Sequence, residues 1–184
     1  TAGQIADGSS VRYVNALGLE YDQAIIKGLI GAVMTDQMLN NYLDPGVLDA
    51  GSNRTDNDNG ILNSDKNYTT MEHKWDEAYG YLFGGAQDGS NPLSTLGSDD
   101  SFLNKYFGKV SADSDFSSIA QDTYSALKLG RAAIVAGNYA VRDEQSDVVR
   151  ELVSKVIGIR SVYYLETGAN ALDGGDKGGA FHDL

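Results

Sequence analysis

The chain reads as an all-α protein, a helical bundle of four long helices and a short one joined by long polar loops. Three observations carry that reading. Apolar residues return at helical spacing through four long segments. Only 2 prolines occur in 184 residues, while 22 glycines gather between the periodic segments. No stretch sustains the two-residue alternation of a strand with turn signals at its ends, so no strands are needed.

The spacing predicts a first helix over about residues 20–43. Ile25, Leu29, Ala32, Val33, Leu39 and Leu43 recur along it, and Asp44-Pro45-Gly46 stops it. Residues 49–65, rich in Asp, Asn, Gly and Ser, read as loop. A second helix is expected from near Tyr68 to Phe83, with Thr69 or Thr70 as its N-cap and Gly84-Gly85 after it. After another loop a short helix is expected over about 99–107. Ser114 or Asp115 caps a third long helix reaching about Ala136, ended by Gly137-Asn138. The fourth is expected over about 143–167, carrying Val148, Val149, Leu152, Val156, Ile159, Val162 and Tyr163. Gly168 to Gly179 reads as a linker, and residues 180–184 as a helix that begins and is cut off. The chain has no initiator Met and opens on Thr1-Ala2-Gly3. It is therefore expected to be one helical domain, 1–184, within a longer chain that continues after Leu184.

Charge narrows the function. The sequence holds 26 acidic against 14 basic side chains, a formal −12. That field repels phosphate backbones and anionic lipid, which disfavours nucleic acid as a partner. With no cysteine, disulfides, thiolate metal sites and thiol catalysis are excluded. No apolar run approaches the ~20 residues of a membrane-spanning helix.

The densest chemistry lies on the second helix. At about 100° per residue, Met71, Trp75, Ala78, Tyr79 and Leu82 share one face, and His73, Asp76, Glu77 and Gly80 share the opposite one. His73 and Glu77 stand one turn apart with Asp76 between them, so an imidazole and carboxylates can converge as helix-borne metal ligands do. The same spacing equally describes a solvated face. Gly80, costly inside a helix by ~1 kcal/mol, calls for a packing or access reason. Asp36 falls in the centre of the first helix's apolar stripe, where a carboxylate must be paired, hydrogen-bonded or liganded; it is either a bonded core residue or a further metal ligand. Asp56, Asp58, Asn63 and Asp65 place oxygens at alternating positions around Gly60, as calcium loops do. Yet the glycine comes one place early for an EF-hand, and no Glu closes the loop. Turn chemistry alone accounts for that composition. No nucleophile elbow, zincin motif or phosphate-binding glycine loop is present. Of the 11 tyrosines, Tyr163-Tyr164 and Tyr79-Gly80-Tyr81 read as core and bundle-seam residues.

Lys27-Gly28-Leu29-Ile30-Gly31-Ala32, Asp36-Gln37, Leu39-Asn40-Asn41-Tyr42-Leu43 and Glu72-His73-Lys74-Trp75-Asp76-Glu77-Ala78-Tyr79-Gly80-Tyr81 together resemble the bacterial, lipoprotein-like family called domain of unknown function 4856. Ala180-Phe181-His182-Asp183-Leu184 is similar to the start of that family's second motif, His-x-x-x-Glu. The family is akin to the imelysin-like proteins, exported helical bundles associated with iron acquisition and marked by Gly-x-His-x-x-Glu. The resemblance implies an imelysin-like bundle, with His73 as the motif histidine, Asp76 as its acid, Glu77 as the acid of this family's own repeat, and His182 as the second histidine. Met71 stands where the imelysin motif has Gly, and Asp76 replaces its Glu.

Three functions follow as expectations. The first is an exported, periplasmic or cell-surface binding protein holding a metal ion or small ligand, iron first and zinc as the alternative metal, through His73, Asp76, Glu77, Asp36 and His182. It could meet a cell-surface or envelope protein partner. The second is an interaction module in which a His–Asp polar network fixes helix register and no metal binds. The third is a hydrolase using a metal-activated water.

Overall fold

The computed structural model describes residues 3–184; Thr1 and Ala2, the opening read above as a trimmed end, lie outside the described residues. The chain begins with a hairpin, β1 (Gly3–Asp7) and β2 (Ser10–Val14), antiparallel with Asp7 opposite Ser10. The no-strand expectation is corrected here. Gly8 sits at φ +56° in a two-residue turn, the Gly-first connection that suits the twist of paired strands.

The first long helix starts as α1 (Tyr21–Gly28) and runs on through two π-helical stretches, Leu29–Thr35 and Gln37–Tyr42. Hydrogen bonds there reach five residues back: the Asp36 amide donates to the Gly31 carbonyl, the Leu43 amide to Met38, and the Thr35 hydroxyl to Ile30 at 2.8 Å. Each π turn takes up one residue more than an α turn, so the face assigned from a 3.6-residue period drifts. Leu39 and Leu43 are buried as expected, joined by Ile30 and Met38, whereas Ile25, Leu29 and Val33 are exposed. Asp36 is exposed too, accepting a 2.7 Å hydrogen bond from Asn40. The buried carboxylate inferred from the α-period is thereby corrected.

α2 (Pro45–Leu48), capped by Asp44, follows the stop, and α3 (Asn53–Asp58) winds within residues 49–65, where a loop was expected. α4 (Thr70–Phe83) matches its expectation closely. Thr69 caps it, with the Glu72 carboxylate reaching back to the Thr69 amide, and Met71, Trp75, Ala78, Leu82 and Phe83 are buried. The expected short helix lies a few residues later, as α5 (Leu103–Ser111). α6 (Ile119–Val135) follows a 3₁₀ turn at Ser114–Phe116 that Asp113 caps. α7 (Tyr139–Asp173) is 35 residues long, capped by Asn138, and absorbs the first half of the segment read as a linker. α8 (Lys177–Asp183) turns back against α7 and β1.

The core gathers around α4. Its buried stripe joins one cluster with Met38, Leu39 and Leu43 of the π-helical stretch, Leu103, Phe107 and Val110 of α5, Leu127 and Ile134 of α6, and Val149, Val153 and Val156 of α7. Trp75 donates its indole N–H to the Leu127 carbonyl at 2.8 Å and lies against Gly130, where a Cβ would come within 2.0 Å of the ring. The architecture is thus the all-α bundle the periodicity predicts, with a small hairpin added.

Candidate functional site

The capping box orients α4 so that Trp75 faces inward, and this sets the opposite face outward. His73 and Glu77 stand 3.5 Å apart with side chains 43% and 44% exposed. The His73 ring stacks on Tyr68, centroids 4.8 Å apart. Asp76 turns to α6, accepting from Arg131 Nε at 2.8 Å, while Arg131 Nη1 bonds Glu72 at the same distance. His182 lies elsewhere, its Nε2 3.0 Å from the Ile5 carbonyl, where it ties α8 to the hairpin. Of the five expected ligands only His73 and Glu77 are brought together. Among the described residues no group of three or more His, Cys, Asp or Glu is placed to hold a metal ion.

The calcium-loop residues serve other contacts. Asp56 and Asp58 sit two apart on α3, where helix geometry turns them to different sides. Asp56 accepts from Ser52, Asp58 from the Tyr139 hydroxyl, and Asn63 from Thr70. Asp65 takes the left-handed conformation at φ +59°. Gly80 has no neighbour that a Cβ would meet, so the packing reason expected for it is absent.

A cavity of about 1010 Å³ opens between the first helix, α7 and α8, with α5 beneath it. Its walls are mostly apolar: Leu19, Ala24, Ile30, Ile157, Leu172 and Phe181. One group of polar side chains lies where α1, α5 and α7 meet, and Glu20, Gln23, Lys177, His182 and Asp183 line the cleft elsewhere. Lys27 donates to the Tyr106 hydroxyl and lies over the Tyr106 and Tyr164 rings, 4.8 and 5.6 Å from their centroids. Arg160 rests against the rings of Tyr163 and Tyr164, at 4.0 and 4.7 Å. Arg12, bonded to Glu20 at 2.6 Å, lines the cleft where the hairpin meets the first helix.

This cluster splits two phenols. Burial raises the Tyr106 hydroxyl, helped by the neighbouring Tyr164, to about 12. Burial also acts upward on Tyr164, but hydrogen bonding from Arg160 and Tyr106 and the charges of Lys27 and Lys109 bring it down to about 8. The sequence reading passed over Arg160. The signal for it was Arg160-x-x-Tyr163-Tyr164, one turn of helix placing a guanidinium beside two phenols.

Helices around one core, an open cleft on one side and no helix long and apolar enough to cross a membrane among the described residues define an all-α protein with a ligand-sized cavity. The chain belongs to the family described as Domain of unknown function (DUF4856), which matches residues 1–184, its whole length. No curated protein and no solved structure matches it.

Proposed function

We propose that the domain is a binding module, exported or displayed at the cell surface, whose ligand is a small molecule seated in the cleft between the first helix, α7 and α8. The observation that carries this reading is the cavity itself. Its volume of about 1010 Å³ falls at the upper end of small-molecule sites, and apolar walls with a few convergent polar groups are their usual lining. The acidic chain and the family resemblance support the exported setting. A neutral apolar fluorophore, N-phenyl-1-naphthylamine, titrated into the protein should saturate near one per chain. Ala24→Trp, filling the cleft from its helical wall, should abolish that signal. Equal, non-saturating fluorescence from both proteins would discard the reading.

A second reading keeps a metal ion, iron or zinc, on His73 and Glu77. Its support is their one-turn spacing at 3.5 Å together with the imelysin-like resemblance. One helix would supply two ligands, and water or another chain the rest, since Asp76 is held by Arg131 and both Asp36 and His182 lie away from the pair. Zinc or ferrous iron titrated into wild type and His73→Ala decides it: tight uptake by wild type alone supports it, and equal weak uptake ends it.

A further inference from the structure

The sequence contains 6 arginines. Arg12, Arg54, Arg131, Arg142 and Arg150 each pair with at least one carboxylate. Among the described residues Arg160 pairs with none, although it is only 9% exposed and its Nε finds no hydrogen-bond partner. Arg142 shows how this fold treats a buried guanidinium when the need is structural, with Asp49 and Asp143 placed at 2.5 and 2.6 Å. A buried charge without a counter-ion is destabilising, and although the Tyr163 and Tyr164 rings offset part of that cost, the unpartnered Nε points to an anion brought from outside.

The surroundings of Arg160 add positive charge. Among the described residues Lys27 pairs with no carboxylate, and it points into the Tyr106–Tyr164 pair. Lys109 lies 5.9 Å from the Tyr106 ring centroid. Glu20 is occupied by Arg12. In a chain of net −12, such a pocket of unpaired cations is a local reversal of sign. Beside this head of the cleft the lining includes the hydrocarbon of Ile30, Ile157 and Leu172, from which a fully hydrated anion would gain nothing.

We infer that the cleft takes an organic carboxylate with an apolar body, its head group held by Arg160 and Lys27 and its body lying along Ile30, Ile157 and Leu172. The inference rests on the cleft-binding reading above. Arg160 offers the planar, forked donors that match a carboxylate, and the Tyr164 hydroxyl adds a donor while it keeps its proton. Once Tyr164 ionises, its phenolate competes for Arg160. The groups facing or sharing that space are Arg12 from β2, paired with Glu20 just before α1, Lys27 from α1, Tyr106 and Lys109 from α5, Arg160 and Tyr164 from α7, and Lys177, His182 and Asp183 from α8.

The test uses the whole chain with dodecanoate below its micelle concentration, dodecanol, and vesicles of phosphatidylglycerol. Wild type should bind dodecanoate more tightly than dodecanol. Arg160→Gln should weaken dodecanoate about 10- to 100-fold, the range of a charge-assisted hydrogen bond, and leave dodecanol unchanged, with Arg160→Lys recovering part of the loss. In wild type the dodecanoate affinity should fall as pH rises through about 8 while that for dodecanol stays level. This pH series needs no variant and stands if Arg160→Gln does not fold. Equal affinity for acid and alcohol, or a pH-independent preference, overturns the anion assignment and leaves the cleft reading in place. Failure of both ligands and of the neutral naphthylamine overturns both. Sedimentation with the vesicles without uptake of free dodecanoate overturns the inference in favour of a membrane surface.

Discussion

Two arginines buried in one small protein meet opposite fates, and each sets a measurable property. Arg142, fully buried, is bridged to Asp49 and Asp143 and also contacts the Met71 sulfur. Its hydrogen bond to Asp49 holds that carboxyl below the usual carboxylate value, against the opposing effect of burial. A carboxyl that titrates lower in the folded than in the unfolded chain contributes stability that is complete above its unfolded pKa of about 3.9 and drains away as pH falls through the lowered folded value. Asp49→Asn should therefore be less stable than wild type at neutral pH, and its stability should change less steeply with acidification below about pH 4. Denaturant midpoints by circular dichroism between pH 6 and 2 check this; parallel curves would contradict it. Neither arginine was legible as buried from the sequence, because a charged side chain on a helix is ordinarily a surface residue and only three-dimensional packing encloses these two. Asp36 shows the reverse error, a carboxylate placed inside by periodicity and found in solvent.

At the scale of the element, helix glycines give opposed predictions from one substitution. Gly80 of α4 is exposed with open space around it, so Gly80→Ala should stabilise by up to about 1 kcal/mol through helix propensity alone. Gly130 of α6 lies under Trp75, and the same gain is outweighed there by a methyl driven into the indole. Gly130→Ala should lose about 1–3 kcal/mol. Thermal melts of the two variants should move in opposite directions, and a stabilised Gly130→Ala would deny the packing described. Elements with strong local signals were legible: α4 with its Thr69–Glu72 box, and the existence of α6 and α7. The hairpin was passed over although Gly8-Ser9 stands between Gln4-Ile5-Ala6 and Val11-Arg12-Tyr13-Val14, because two short exposed strands carry little hydrophobic alternation. The π-helical winding of residues 29–42 left no mark that a 3.6-residue template detects, which is why the first helix was found but its faces were misassigned.

Across the whole molecule, the bundle class follows from composition and period, whereas the cleft depends on where helices from distant parts of the chain come to rest. Lys27, Tyr106 and Arg160 are separated by 79 and 54 positions, and no local pattern announces their meeting. The His73 motif, by contrast, was wholly local and therefore conspicuous, yet its outward face gathers two of the five expected ligands. Several of the apolar side chains left exposed, Ile25, Leu29, Val33, Val162, Leu165 and Leu172, belong to the first helix and the later turns of α7.

That distribution gives α7 a mechanical character. Its 35 residues extend over roughly 52 Å at 1.5 Å per residue. Val149, Val153 and Val156 clamp its first half into close-packed surroundings, while the second half projects past them as the cleft's wall. α8 folds back on that second half, with Leu184 seated against Gly168, so the far end is propped, and the aperture seen by an incoming molecule is governed by how firmly the short strut holds to the long beam.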